Sequence, residues 1–382
     1  GQVVILLNAQ TTQPAGSWPG FTAATISFPT GPNPTDIAIG DLDLQGGNDL
    51  AVAIGSTGDV EAYLNDGSAT PSFPTLVSAS FTASPSAVGI GDVDGDGFPD
   101  IAAAGGLPGQ PGEVVVRLNQ GTTGSAWDGL GSSPGVFVVG ELPSDLVFGD
   151  LDEEKDLDLA TANFGSDSVS LLGNQGTDGG GAWLGFGAAT DIGVGAGPVT
   201  ILARDLDEEK DLDLLTVNAI AGTVSIVPQT NPSMPLGDAF GPSADIPAGT
   251  DASSGALWDI DGDGDPDPAV VVTDDDSGER VVRLFRNLSS ENAAAGTPGL
   301  SFVLDEDVAS GQSPLLVRSG RLDSGPGDDL AIVTDPGMAA RAAGGDDPPA
   351  PSGLVYTDPG VASCVGDLDG DGAVGFADLN LF

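Results

Sequence analysis

Acidic residues recur at alternating positions in five short stretches of the chain. The stretch DVDGDGFPD (92–100) is the clearest, and the decapeptide DLDEEKDLDL occurs twice, at 150–159 and 205–214. The shared pattern is D-x-D-x-[DEQ]-x-x-x-D. Positions 1, 3, 5 and 9 therefore offer side-chain oxygens, and position 7 can offer its backbone carbonyl. Four side-chain oxygens and a backbone carbonyl suit Ca²⁺, whose coordination geometry is flexible. Mg²⁺ requires near-ideal octahedral coordination and fits this set less well. The pattern predicts five calcium-binding loops, numbered here 1 to 5.

Each loop contributes one set of predicted ligands, taken from positions 1, 3, 5 and 9. They are Asp41, Asp43, Gln45 and Asp49 in loop 1; Asp92, Asp94, Asp96 and Asp100 in loop 2; Asp150, Asp152, Glu154 and Asp158 in loop 3; Asp205, Asp207, Glu209 and Asp213 in loop 4; and Asp259, Asp261, Asp263 and Asp267 in loop 5. Gln45 can ligate only as a neutral carbonyl, so we expect loop 1 to bind its ion more weakly. A degraded sixth loop has Arg321 at its first position, and its Asp323 and Asp329 alone should not hold calcium.

The alternative interpretation of such loops is that they are solvated turns, since Asp and Gly favour turns in general. Five loops with side-chain oxygens at the same loop positions argue against this interpretation, because a solvated turn has no need for oxygens at alternating positions. Position 6 is often glycine, where the chain must turn sharply. In DLDEEKDLDL, we expect Glu153 and Lys155 to point away from the ion and Asp156 to contribute mainly its carbonyl.

The loops mark an internal repeat with a period of 51 to 62 residues, because their first positions fall at 41, 92, 150, 205, 259 and 321. An apolar stretch enters each loop and another leaves it. A third follows at 59–65, 113–119, 168–174, 223–229 and 280–287, and a weaker fourth precedes the next unit, as at 76–81. Four antiparallel strands per unit, without helical periodicity, predict an all-β fold. The predicted fold is a β-propeller over residues 1–358, with six countable blades and seven possible.

The ends of the repeat suggest how the ring closes. Residues 2–8 and 22–28 match third and fourth strands, whereas the sixth repeat supplies first and second strands and then 353–357. Combining them in one blade would close a six-bladed ring and remove open sheet edges. Two alternatives stay open: a seventh blade encoded upstream, or a strand supplied by a neighbouring subunit.

Charge and composition exclude several classes of function. Asp and Glu number 57 against 10 Lys and Arg, giving a net charge of −47, so nucleic acid would be repelled. The sequence has no His, which removes the usual general base and the usual zinc or copper ligand. Its one cysteine, Cys364, excludes an intramolecular disulfide, and no apolar run is long enough to span a membrane. We therefore expect no enzyme activity.

The stretch GDVDGDGFPDIAAA (91–104), its siblings and the following EVVVRLN resemble the FG-GAP/VCBS repeat family. This family includes the calcium-loop blades of integrin α-subunit heads and usually has seven blades. The resemblance covers about residues 1–358 and implies an extracellular propeller with calcium between strands one and two of each blade. Adhesins, lectin-like propellers and modules appended to enzymes share the fold, so the fold alone does not settle the function.

The repeat pattern ends after residue 336, where a Gly-, Pro- and Ala-rich stretch occupies 337–353. The second predicted unit, 359–382, contains GDLDGDGAVGFADLNLF (366–382). Its Asp367, Asp369, Asp371, Gly372, Val374 and Asp378 fall at positions 1, 3, 5, 6, 8 and 12 of an EF-hand-type loop. This segment resembles the first half of a type I dockerin repeat, which implies one further calcium site. The whole chain would then bind about five propeller ions and one C-terminal ion.

The predicted function is a non-catalytic, extracellular, calcium-stabilised structural or adhesive propeller, as a subunit of a surface layer or filament. Its partners would be other protein subunits or cell-surface components, with a homopolymer formed by strand exchange as one arrangement. The alternative is a carbohydrate-binding propeller or an accessory module of a secreted enzyme. Trp18, Trp127 and Trp183 recur in loops after third strands. They would stack on sugars in that case, and otherwise pack between blades.

Overall fold

The computed structural model describes residues 1–8, 21–68, 72–81, 84–124, 126–131, 135–231, 234–260, 263–289, 300–308, 313–320 and 329–335. These residues are almost entirely β-structure, with one named helix, the single turn α1 (Leu236–Ala239). No helix within these ranges is long and apolar enough to cross a membrane. The all-β prediction is therefore confirmed.

Strands in the described residues pair antiparallel throughout, in the order of the chain. A two-stranded sheet comes first, formed by β1 (Gln2–Asn8) and β2 (Phe21–Pro29). Five four-stranded sheets follow, numbered 1 to 5, and each has its first strand at one edge and its fourth at the other.

Their strands are as follows. Sheet 1 has β3 (Pro34–Gly40), β4 (Asp49–Ile54), β5 (Asp59–Leu64) and β6 (Thr75–Ser80). Sheet 2 has β7 (Pro85–Gly91), β8 (Asp100–Gly105), β9 (Pro111–Arg117) and, after a small hairpin of β10 (Thr122–Thr123) and β11 (Ala126–Trp127), β12 (Gly135–Glu141). Sheet 3 has β13 (Pro143–Gly149), β14 (Asp158–Asn163), β15 (Ser168–Leu172) and β16 (Thr190–Gly193). Sheet 4 has β17 (Pro198–Arg204), β18 (Asp213–Asn218), β19 (Thr223–Val227) and β20 (Ala244–Pro247). Sheet 5 has β21 (Thr250–Trp258), β22 (Asp267–Thr273), β23 (Arg280–Asn287) and β24 (Phe302–Val308). A last two-stranded sheet joins β25 (Ser313–Gly320) and β26 (Asp329–Asp335).

The core lies between neighbouring sheets. Every residue of β4, β8, β14 and β18 is buried, because each second strand is covered on both faces. One apolar cluster joins sheets 1 and 2, and similar clusters join each later pair and then sheet 5 to β25 and β26. The first strands also pack against one another in sequence. Small side chains such as Ala102, Ala103 and Ala104 allow the sheets to approach closely.

Two of the first strands also carry a carboxylate within the protein, five residues before loops 1 and 3. Asp36 accepts a hydrogen bond from the Val88 backbone N–H in the next sheet (2.8 Å), and Asp145 accepts one from that of Ile201 (2.9 Å). Burial raises the pKa of Asp36 to about 7 and that of Asp145 to about 6. Arg318 in β25, whose pKa is lowered by burial, interacts electrostatically with both. The side chain of Arg318 therefore lies within electrostatic range of two first strands, β3 and β13.

The predicted third strands agree with the structure to within two residues at either end, and loops 1 to 5 connect first and second strands as expected. The small hairpin of β10 and β11 and helix α1 were not predicted. Cys364, the stretch 337–353, residues 353–357 and the whole unit 359–382 lie outside the described residues.

Candidate metal centres

Each acidic loop is built from the same backbone turns. Position 4 has positive φ in loops 1 to 4 and position 6 in all five; at position 6 the values are 86°, 92° and 100° for Gly46, Gly97 and Gly264. Lys155 and Lys210 adopt the same conformation at φ 75°. A Cβ at any of the three glycines would meet nothing within 4 Å, so a lysine fits there at the cost of backbone strain alone.

These turns fold the backbone around the first two aspartates. The position-6 N–H donates to the position-1 carboxylate in all five loops, as from Gly97 to Asp92 (2.9 Å). The position-5 N–H donates to the position-3 carboxylate in loops 1 to 4, as from Asp96 to Asp94 (3.1 Å). The loop thus fixes both carboxylates before any ion arrives.

Position 9 is the most buried member of each set. The carboxylate of Asp213, which is 0% exposed, accepts the Leu206 N–H (2.9 Å) and the Gln229 N–H (2.8 Å). The same two bonds, from position 2 and from the residue at the end of or just after strand three, occur in all five loops. Burial raises the pKa of Asp49, Asp100, Asp158 and Asp213 to about 7, with nearby loop carboxylates adding to the rise.

The carboxylates converge in four of the loops, where one oxygen from each residue lies within 4.8 Å of the others. The groups are Asp41, Asp43 and Asp49; Asp92, Asp94 and Asp96; Asp150, Asp152 and Asp158; and Asp205, Asp207 and Asp213. Gln45, Glu154 and Glu209 are exposed, and the two glutamates lie outside these groups. Asp100 is buried but is not one of the three converging residues of loop 2.

Loop 5 and the remaining predicted sites are described only in part. Asp259, Asp263 and Asp267 are placed at their expected positions between β21 and β22, while Asp261 lies outside the described residues. Also outside them are Arg321 and Asp323 of the sixth loop, and Asp367, Asp369, Asp371 and Asp378 near the C-terminus. Their metal roles stay predictions.

The donor chemistry fits a hard divalent cation. The Oδ1 atoms of Asp41 and Asp205, both at position 1, are buried and have no hydrogen-bond partner. A buried carboxylate oxygen without a partner is costly, and three converging carboxylates repel one another. An oxygen-coordinated ion such as Ca²⁺ would relieve both effects in one step.

Two kinds of residue in the site were missed by sequence reasoning. The first is an amide that links neighbouring sheets. Asn174 donates to the Val93 carbonyl at position 2 of loop 2 (2.8 Å), and Asn119, Gln229 and Asn287 reach the preceding loop in the same way. The sequence contained a signal for this amide. In each of the five units, Asn or Gln stands at the end of the third strand or just after it, in YLN, RLN, LGN, VPQ and FRN.

The second missed group is the position-7 side chain. Asp156 and Asp211 each keep a buried Oδ1 without a hydrogen-bond partner, and Asp211 is 6% exposed. Burial raises the pKa of Asp211 to about 6, followed by repulsion from Asp207 and Asp205 of the same loop. Both carboxylates therefore lie close to the acidic cluster of their loop, although position 7 was expected to contribute mainly its carbonyl.

The two described tryptophans of the recurring loop differ in environment. Trp183 is 8% exposed and packs edge-on against Phe137 and Phe186, at centroid distances of 6.0 and 5.2 Å. Trp127 is partly exposed and lines a cavity of about 670 Å³ together with Asp43 and Gln45 of loop 1. Each indole N–H donates to the amide after strand three. Trp18 lies outside the described residues.

Comparison with known proteins agrees with this architecture. Residues 41–103, which span loops 1 and 2, match the model of the family described as FG-GAP-like repeat. The chain has a β-propeller repeat fold. The crystal structure of BBS1N in complex with ARL6DN, soaked with lead, is similar with a TM-score of 0.54 and 12% identity, over 86% of this chain and 83% of that chain.

A second similar structure is the Chaetomium thermophilum Polycomb Repressive Complex 2 bound to GSK126. Its TM-score is 0.52 at 10% identity, over 82% of this chain and 70% of that chain. At such identities the likeness concerns the fold alone. No curated protein sequence matches this one.

Proposed function

We propose that this chain is a non-catalytic, extracellular, calcium-stabilised structural or adhesive propeller that serves as a subunit of a surface layer or filament. The observation that carries this proposal is the repeated loop geometry. Four loops bring three carboxylates together, and two position-1 oxygens are buried without partners. The same turn repeated from sheet to sheet is typical of a scaffold, since an enzyme needs one site that differs from the rest.

The absence of histidine from the sequence supports a non-catalytic role, because the commonest general base is missing. Calcium concentrations outside cells are high enough to fill even weak calcium loops, which supports the extracellular part of the proposal. The net charge of −47 favours the same setting, since many cations are needed to balance it.

The ring itself is proposed to contain six blades. Sheets 1 to 5 supply five, and β25, β26, β1 and β2 together carry the four strand types of a sixth. The electrostatic interaction of Arg318 in β25 with Asp36 in β3 supports this closure. Strand β25 is the first strand of the sixth repeat and β3 is the first strand of sheet 1, so the two ends of the repeat would be neighbours.

An outer strand offers a contact for assembly. Strand β12 is the outer edge of sheet 2, and its Val136 and Val138 are 54% and 60% exposed. An apolar edge strand presents unpaired backbone groups and can pair with a strand of another molecule. Two strongly acidic chains repel each other, so such pairing should require calcium.

We expect Val136→Lys/Val138→Lys to abolish calcium-dependent polymers while leaving the fold intact. A charge on an edge strand blocks pairing without touching the core. Electron microscopy and light scattering with 5 mM Ca²⁺ or EDTA (roughly the range of weak extracellular sites) would measure this. Ser78→Lys, on the outer strand β6, is the control and should assemble normally. Chains that stay monomeric in calcium at high concentration would contradict the assembly role.

Carbohydrate binding is the second candidate, and the cavity beside loop 1 favours it. Trp127, Asp66 and Asp128 line this cavity together with residues of the loop. An aromatic face, carboxylates and a nearby cation are groups that bind sugar hydroxyls and rings.

A glycan array probed in calcium tests this candidate. If the chain is a lectin, Trp127→Ala should reduce the signal at least tenfold, because the ring supplies the stacking surface. Trp183→Phe is the matched control, since Trp183 packs inside the protein, and it should keep the signal. An array with no calcium-dependent signal would eliminate the lectin candidate.

A further inference from the structure

The cavity beside loop 1 has acidic and aromatic walls. It has a volume of about 670 Å³ and lies between sheet 1 and the hairpin of β10 and β11. The residues that line it include Asp43, Asp66, Asp128 and Trp127, and none of the described lining residues is basic. Asp66 and Asp128 are exposed to solvent, so a molecule can reach the cavity from outside.

Apolar side chains complete the wall. Leu64 is buried at the end of β5, while Val77 of β6 and Leu130 are partly buried. Leu130 and Trp127 pack against the apolar cluster that joins sheets 1 and 2. The cavity therefore combines apolar surface with carboxylates, which suits a ligand with an apolar stem and a charged end.

Trp127 and Asp128 are held in place before any ligand arrives. The Trp127 indole N–H donates to the Asn119 side-chain carbonyl (2.6 Å), and Asn119 in turn donates to the Leu42 carbonyl of loop 1 (2.7 Å). The Asp128 carboxylate accepts the Thr123 hydroxyl across the hairpin (2.6 Å). Side chains fixed by such bonds lose little conformational freedom when a ligand binds.

Within the described residues, none of the three carboxylates of the cavity forms an ion pair. Arg117 is the only basic residue of the sequence before Lys155, but it does not line the cavity. Its guanidinium donates to the carbonyls of Ser80 (3.0 Å) and Gly131 (3.1 Å) and lies 5.4 Å from the Phe81 ring centroid. The donors of Arg117 are thus directed at backbone carbonyls, and the negative charge of the cavity is left for a cation from outside.

Calcium in loop 1 would leave this surface negative. The converging residues Asp41, Asp43 and Asp49 carry three negative charges, whereas the ion carries two positive ones. Asp66 and Asp128 lie outside loop 1 and keep their own charges. The cavity would therefore attract a cation in the calcium-loaded protein as well.

A guanidinium group fits these walls best. It is planar, stacks on an aromatic ring and donates to carboxylates through several N–H groups. The aliphatic stem of arginine can cover the apolar part of the wall. A sugar ring could stack on Trp127 as well, but it would leave the carboxylates without a counter-charge.

We propose that this cavity binds the guanidinium group of an arginine side chain presented by a partner protein. The proposal rests on the adhesive role proposed above and deepens it, because it states the chemistry by which the partner is recognised.

The test uses two capped amino acids of similar shape: N-acetyl-arginine amide, which is charged, and N-acetyl-citrulline amide, which is neutral. Each is titrated into the full chain in 5 mM Ca²⁺ (roughly the range of weak extracellular sites), and NMR follows the indole N–H signals of the four tryptophans. The arginine compound should shift one signal with a dissociation constant of about 1 mM, as expected for a single anchored side chain. The citrulline compound should bind about tenfold more weakly, because it lacks the charge.

Variants place the binding in the cavity. Trp127→Leu should remove the signal that shifts, and Asp66→Asn/Asp128→Asn should weaken arginine binding about tenfold. Asp178→Asn/Asp276→Asn removes the same number of exposed charges elsewhere and should bind like the unmodified chain.

The outcomes separate this proposal from the others. No shift with the arginine compound, equal affinity for both compounds, or an equal loss in both aspartate pairs would overturn it. A shift of the Trp127 signal by methyl glycosides alone would overturn it in favour of the carbohydrate candidate. If circular dichroism shows that Trp127→Leu unfolds, the two aspartate pairs decide, since all four residues are exposed. Calcium-dependent melting is measured separately, so a failure to bind arginine leaves the calcium sites standing.

Discussion

Removal of calcium at pH 8 should lower the melting temperature by about 10 °C or more. Each site filled at a hundred times its dissociation constant stabilises the fold by about 2.7 kcal/mol, and four loops hold converged carboxylates. In a chain of this size each kcal/mol moves the midpoint by roughly 2 °C. Scanning calorimetry with calcium and with EDTA measures the shift, and magnesium in place of calcium is the control for ionic strength.

The size of this effect should depend on pH. Burial raises the pKa of Asp49, Asp100, Asp158 and Asp213 to about 7 in the ion-free fold, well above the usual value for an aspartate. For an acid whose folded pKa is raised, the ion-free fold is most stable below about pH 4. It loses that stability as the pH rises to about 7.

Calcium should reverse this loss, because it would bind the ionised carboxylates. The difference between calcium and EDTA should therefore be small near pH 5 and reach its full size above pH 7. A melting temperature that is the same in calcium and in EDTA at pH 8 would refute the calcium sites. A difference that is equally large at pH 5 and pH 8 would refute the role of the position-9 carboxylates.

Asp213→Ala should cost about 3–5 kcal/mol of unfolding free energy in calcium. The substitution leaves the Leu206 and Gln229 N–H groups buried without acceptors, at about 1–3 kcal/mol each, and also removes a metal ligand. Denaturant unfolding in calcium and in EDTA separates the two parts, since only the hydrogen-bond part persists in EDTA.

Asp276→Ala is the matched control, because Asp276 is exposed in the turn between β22 and β23 and should change stability by less than about 0.5 kcal/mol. An Asp213→Ala cost that is the same in calcium and in EDTA would show that Asp213 ligates no ion. Its role would then be limited to joining loop 4 to strand β19.

The repeat period and the alternating oxygens were sufficient to predict the strands and most of the loop geometry. A buried second strand appears in the sequence as an apolar run, and the aspartates at loop positions 1, 3 and 9 are recognisable from their spacing. The ligand role of position 5 stays a prediction in loops 3 and 4, where Glu154 and Glu209 are exposed and lie outside the converging groups. The carboxylates of Asp36 and Asp145 follow no repeated pattern, because Ala87, Thr200 and Ser254 stand at the matching positions of the other units.

Contacts between sheets escaped prediction for a general reason. A sequence repeat shows what each unit contains, whereas Asn174 donates a hydrogen bond to a carbonyl 81 residues away, in the loop of another unit. Such contacts depend on how one sheet is rotated against its neighbour, which no single unit encodes. The recurring amide after strand three could be recognised in the sequence, but the carbonyl that accepts its hydrogen bond could not.

The amides that follow the third strands have a mechanical consequence. Asn119, Asn174, Gln229 and Asn287 each donate a hydrogen bond to a carbonyl in the preceding loop, so loops 1 to 4 are each held by the sheet that follows. Repeat arrays in general can melt piece by piece. Because each of these loops depends on the following sheet, we expect the loss of one ion to weaken the contacts of the neighbouring sheet as well. Sheets 1 to 5 should therefore unfold together in one cooperative transition.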